Sequence, residues 1–178
     1  MPRSVRASML CALKARFQAI LGHVADNEAA AGRALDTFER VDEPDEEPHT
    51  AFFDLPGLHA TLGMAHQIAA KHLDGAAPTR HVRRSTDLVV AALNDRPEHH
   101  QRSRAFDHLG LARTYPAAGE GDGAAEETTH CLRNLGSVRS RRVADRLGEL
   151  YEEAQLFAET TPGRSLREQI HDLLSASG

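Results

Sequence analysis

Apolar residues recur at three- and four-residue intervals along most of the chain, the spacing of amphipathic helices. Val5, Met9, Ala12, Leu13, Phe17, Ile20 and Leu21 predict a first helix over residues 4–21, which Gly22 stops. Asp26 suits the cap of a second helix ending near Val41, with Ala30, Ala34, Leu35 and Phe38 along one stripe. The acidic stretch 42–50 holds two prolines and reads as a solvated loop. A third helix fits 56–73, with Pro56 in its first turn and Leu58, Leu62, Ala65, Ile68 and Ala69 on one side. DGAAPT (74–79) breaks it, and Val82, Leu88, Val89, Ala92 and Leu93 mark a fourth over 80–94. Phe106, Leu109, Ala112 and Tyr115 mark a fifth over 102–118, shortened or kinked by Pro116. GEGDG (119–123) reads as a turn before a sixth helix that ends at Leu135. A long seventh follows over about 139–159, TTPGRS (160–165) ends it, and 166–175 forms a short eighth. No segment carries the alternation of a strand. The expectation is a single all-α domain of about eight helices over residues 1–178. Short connections make successive helices antiparallel neighbours.

The helix pairs repeat. At an offset of 97, Ala15-Arg16 falls on Ala112-Arg113, Gly22 on Gly119, Leu35 on Leu132, Phe38 on Leu135 and Val41 on Val138. Leu62-Gly63-Met64-Ala65 lies over Ala12-Leu13-Lys14-Ala15, and the DGAAPT loop holds the extra residues. This gives hairpins at about 4–41, 56–94 and 102–135, then a terminal helix pair at 139–175. Ala or Gly at a helix crossing lets two backbones approach, and a large residue one turn on fills the gap.

In the third hairpin, Leu111, Ala112, Tyr115, Gly119 and Ala124 match the small, aromatic and glycine positions of a tetratricopeptide repeat. The unit is longer than the usual repeat of about 34 residues. Arg102, Arg104, Ala105, Leu109 and Leu111-Ala112-Arg113, then Val138, Ser140, Arg142, Val143 and Leu147, widen the pattern. It resembles the tetratricopeptide-like region of actinobacterial regulators that carry an N-terminal helix-turn-helix of the phage-repressor (XRE) type. The resemblance implies a right-handed superhelix of antiparallel hairpins and a role in transcriptional regulation. Nothing before residue 5 has room for the helix-turn-helix, so the expectation is either a fragment or a standalone relative without its DNA reader.

Such superhelices bind partners on the concave surface. In the tetratricopeptide pattern the residue after each small crossing residue faces that groove, which singles out Arg16, His66 and Arg113. His59 and Phe106 fall on the same faces. Two arginines and two histidines on one wall suit an anionic ligand, such as a peptide C-terminus or a phosphate. The plainer reading is that they are ordinary polar residues on amphipathic helices.

Composition narrows the rest. There are 28 alanines, no tryptophan and 4% aromatic residues, which suits closely packed helices. The net charge of −5, despite 19 arginines against 2 lysines, argues against direct nucleic-acid binding. The cluster of Arg139, Arg141, Arg142 and Arg146 fits packing and ion pairs better. Cys11 and Cys131 make no CxxC and read as free thiols of a reducing cytoplasm, Cys131 as a buried structural residue. No apolar run is long enough for a membrane span. The eleven histidines include no HxxxH or HExxH, so no metal and no other cofactor is expected. Glu126-Glu127 and Glu152-Glu153 are adjacent pairs whose side chains diverge by about 100° on a helix, which rules out an acid/base pair. Ser137, Ser140 and Ser165 fit helix caps.

The leading expectation is therefore a non-enzymatic module that senses a peptide or small molecule, or docks a protein partner, in its groove. The alternatives are a scaffold that pairs as a homodimer through its last two helices, and an enzyme built on His59, His66, His108 and Arg113.

Overall fold

The computed structural model describes residues 4–41, 53–75, 77–115, 121–135 and 141–176. All regular structure among them is helical: α1 (Val5–Ile20), α2 (Val24–Glu39), α3 (Leu55–Ala70), α4 (Ala77–Asp95), α5 (Gln101–Thr114), α6 (Gly121–Leu135), α7 (Arg141–Glu153) and α8 (Thr161–Ala176). A short 3-10 turn over Ala154–Phe157 follows α7. The chain divides into two compact units, Met1–Arg96 and Pro97–Gly178. The hairpins expected over 4–41 and 56–94 lie in the first, those over 102–135 and 139–175 in the second.

In the first unit α1 packs against α2, α3 against α4, and α3 also against both helices of the preceding hairpin. The core is built from small residues at the crossings and leucines between them: Ala12, Ala15, Ala30, Ala34, Leu58, Leu62 and Ala65 are fully buried. Two buried polar side chains tie the first hairpin. Ser8 Oγ donates to the Ala34 carbonyl at 2.8 Å, and Asn27 Nδ2 donates to the Ala15 carbonyl at 2.9 Å. Each pair spans the turn symmetrically about Leu21, the register of an antiparallel hairpin closed at Leu21-Gly22. Gly22 sits at φ +76°, a left-handed turn that disfavours a side chain. Gly63 marks the α3–α4 crossing: a Cβ there would lie 2.6 Å from Val89 Cγ2 and 3.2 Å from the Ser85 carbonyl oxygen.

In the second unit α5 packs on α6, α7 on α8, α6 on α8 and α5 on α7. Ala105, Leu109, Ala112, Ala124, Cys131, Leu150 and Ile170 fill its core. Tyr115, partly buried beside them, lays its ring over Gly123.

Several helix ends differ from the sequence-based expectation. α2 begins at Val24, so Asp26 lies in the first turn rather than at the cap; its charge still favours the positive end of the helix. α4 starts at Ala77 and takes in Pro78, which an N-terminal turn tolerates. α6 starts within GEGDG, where Gly123 serves close approach to Tyr115 rather than a turn. α8 starts at Thr161: the Thr160 hydroxyl accepts from Gly163 N at 3.1 Å and Pro162 falls in the first turn, so the residues expected to end a helix begin one. Ser165 is consequently inside α8, accepting from Gln169 rather than capping. Pro116, Gly119, Ser137, Val138, Arg139 and Ser140 lie outside the described residues.

Candidate functional site

The first unit carries a cleft of about 310 Å³ between α2, α3 and α4. α3 contributes His66, α4 contributes Arg80, His81 and Arg84, and α2 contributes Glu28, Ala31, Gly32 and Leu35. His66 is placed by its neighbour Ala65, the small residue that lets α3 come close to its partners. His81 and Arg84 are three apart on α4 and so share a side of that helix. Gly32 leaves the α2 side open, since a Cβ there would meet nothing within 4 Å.

Two buried histidines face each other in this cleft. His66 Nδ1 and His81 Nδ1 are 3.0 Å apart, and their rings are tilted at 51°. One nitrogen must donate and the other accept. His81 Nε2 lies 3.3 Å from the Glu28 carboxylate, though off line for a hydrogen bond. The tautomer that suits both contacts puts the His81 proton on Nε2, toward Glu28. His81 Nδ1 then accepts from His66 Nδ1–H, and His66 Nε2 keeps a lone pair. Glu28 also pairs with Arg80, whose guanidinium is largely exposed. Burial, then His81, Arg84 and Arg80, pushes His66 down to about 4. Burial lowers His81 as well, against the pull of Glu28. Both rings are therefore neutral at neutral pH, and the fixed positive charge of the cleft belongs to Arg80 and Arg84.

The sequence-selected residues meet different fates. His66 lines the cleft. His59, two turns back along the same face of α3, is half-buried, and its Nδ1 is buried with no hydrogen-bond partner among the described residues. Its pKa is lowered by burial first; Asp95 pulls it up and Arg84 down. Arg16 is half-buried on α1. Phe106 is partly buried against the second unit's core. Arg113 is clamped. Its Nε and Nη2 donate to the two oxygens of Glu153 at 3.1 and 2.8 Å, and its Nη1 lies 2.6 Å from Glu149. Burial opposes that charge, but the Glu153 hydrogen bond and both carboxylates outweigh it and raise the pKa. The clamp ties α5 to α7, so its expected role is stability. Arg113→Ala is expected to lose about 2 kcal/mol in urea unfolding, because it strands Glu153, while Arg113→Lys keeps less than half of that since an ammonium cannot fork. Equal stability of all three proteins would refute the clamp.

His108, the fourth suspect of the enzyme reading, is held in the second unit. Its Nδ1 lies 2.6 Å from Glu127, and His130 stacks on its ring at 5.2 Å. Glu126 turns instead toward His130, at 3.8 Å. The adjacent glutamates thus serve different partners, as their helical divergence requires. Cys131 is buried and its thiol is pushed up to about 12 by burial, which leaves it unreactive at neutral pH.

Sequence reasoning missed Glu28, Arg80, His81 and Arg84. A signal existed for His81: it and His66 stand equally far from the centre of the α3–α4 turn, the register in which antiparallel helices meet. His108 and Glu127 are related in the same way across the α5–α6 connection. Among the described residues no group of three His, Cys, Asp or Glu side chains is placed to hold a metal ion, and no helix is long and apolar enough to cross a membrane. No protein-family model, curated protein or solved structure matches the chain.

Proposed function

We propose that the chain is a non-enzymatic binding module, and that the His66–His81 cleft takes the anionic group of a small molecule, a peptide or a protein partner. One observation carries the reading. Arg80 and Arg84 border an open cleft beside two buried neutral imidazoles, against the single carboxylate of Glu28. An incoming carboxylate or phosphate can take over Arg80 from Glu28 and add Arg84, in charge-assisted hydrogen bonds. Among the described residues that line it there is no Ser, Thr or Cys to act as a nucleophile.

The tetratricopeptide-like superhelix is part of this proposal. Within the first unit it is supported by α3 packing on both helices of the preceding hairpin, and by buried alanines at Ala15 and Ala65, one in each hairpin. The role in transcriptional regulation that the resemblance implies belongs to the same proposal.

The test is a titration of the full chain with inorganic phosphate and with a short peptide ending in a free carboxylate, followed by side-chain NMR of His and Arg. Shifts confined to His66, His81, Arg80 and Arg84, and weakened at least about fivefold by Arg84→Ala, support the reading, a change of about 1 kcal/mol. No shift at millimolar ligand, or shifts unaffected by Arg84→Ala, overturns it.

A further inference from the structure

α1 turns its small residues inward, with Val5 and Met9 partly buried against the core, and leaves four larger apolar residues outward. Ser8, Ala12, Ala15 and Ala19 are its buried positions. Leu10, Leu13, Phe17 and Ile20 are 55%, 36%, 62% and 49% exposed, and the C-cap Leu21 is 65% exposed. Among the described residues only Leu55 and Val90 are comparable large apolar residues in the open. Leu10, Leu13, Phe17 and Ile20 recur at intervals of three, four and three, the seam spacing with which one helix receives another. An outer face of a helical array is ordinarily polar. A contiguous apolar stripe there marks an interaction surface.

The internal repeat sharpens the point. Phe17 corresponds to Gln67 on α3 and to Thr114 on α5, and Leu10 corresponds to Asp107. All three counterparts are buried. Phe17's register position is therefore covered in both later hairpins, and Leu10's in the third, while both are bare, though more apolar, in the first.

Charge selects the occupant. α1 carries Arg6, Lys14 and Arg16 and no acidic residue. A second copy of the chain would set these cations against themselves. An anionic lipid surface would face a chain of net charge −5, whose repulsion acts over a Debye length of about 8 Å. A helix from another protein feels chiefly the local cations. We propose that the outward face of α1 docks an amphipathic helix of a partner protein, one with an apolar seam flanked by Asp and Glu.

The experiment is fluorescence anisotropy of the full chain with two labelled peptides of about three heptads. Both have Leu at the seam positions; one is flanked by Glu, the other by Lys. The Glu-flanked peptide is expected to bind at least about tenfold more tightly, a difference of about 1.4 kcal/mol. Leu13→Ser with Phe17→Ser abolishes binding, and Lys14→Glu erases the preference. These positions are exposed, so an unchanged circular dichroism spectrum is expected for every variant. Equal affinity for the two peptides, or binding of neither, overturns the proposal. So does a chain dimer that Leu13→Ser/Phe17→Ser dissociates, which would seat a second copy on the face. So does binding to phosphatidylglycerol vesicles that the same variant loses. The face lies on α1, away from the residues that line the His66 cleft, so either proposal can fail without the other.

Discussion

Acidification from pH 6.5 to pH 4 is expected to remove about 3 kcal/mol of stability from the first unit, through His66 alone. His66 is 8% exposed and its pKa in the folded chain is lowered to about 4, below the ordinary value of 6.5. The unfolded chain therefore takes up the proton first as pH falls. The contribution is whole above about pH 6.5 and is lost progressively toward pH 4. His81, Arg80 and Arg84 on α4 all oppose a second positive charge, and Glu28 on α2 lies against His81. His81 is itself lowered and adds to the loss. Two imidazolium rings cannot keep the 3.0 Å contact, since both nitrogens would donate. The check is urea unfolding across this pH range for the wild type and His66→Gln, whose amide can still bond to His81 but does not titrate. A clearly flatter profile for the variant is expected. Parallel profiles would remove His66 from the explanation.

Gly63→Leu is expected to destabilise the first unit by about 3 kcal/mol, roughly 15 °C in Tm for a unit of this size. The α3–α4 crossing leaves no room at this position. A bare Cβ would lie 2.6 Å from Val89 Cγ2 and 3.2 Å from the Ser85 carbonyl oxygen. Val89 is buried and β-branched, so its side chain cannot swing aside cheaply. Gly63→Ala should lose only about 1 kcal/mol, because the better helix propensity of Ala offsets part of the clash. Combining it with Val89→Ala relieves the 2.6 Å contact, and the double variant should be more stable than the sum of its single changes. Strict additivity, or a stabilised Gly63→Ala, would show that the crossing relaxes freely.

Much of this architecture is legible in the sequence. The 3.6-residue spacing located the eight helices. The recurring Ala15, Ala65 and Ala112 marked positions that are indeed fully buried. Helix ends were less legible, because Pro162 and Thr160 read as a break in the chain and act as the start of α8. The candidate site was legible only in part. The groove pattern selects His66 but not its partner His81, because the two are fifteen residues apart and meet only when the hairpin closes. The same pattern selects Arg113 as a groove residue, and Glu149 and Glu153, which hold it, sit two helices later.

The sequence by itself determined which residues share a helix face, since the period of the backbone is local and every residue reports on it. It also determined where helices approach closely, because only small side chains permit that. The tertiary structure alone decided which face of each helix is covered. In α1 the periodicity sets Ala12, Ala15 and Ala19 on one face and Leu10, Leu13, Phe17 and Ile20 on another, but only packing decides that the small face is covered and the large one left outside. Burial follows from what a neighbouring helix can accommodate at the crossing, and that depends on residues far along the chain.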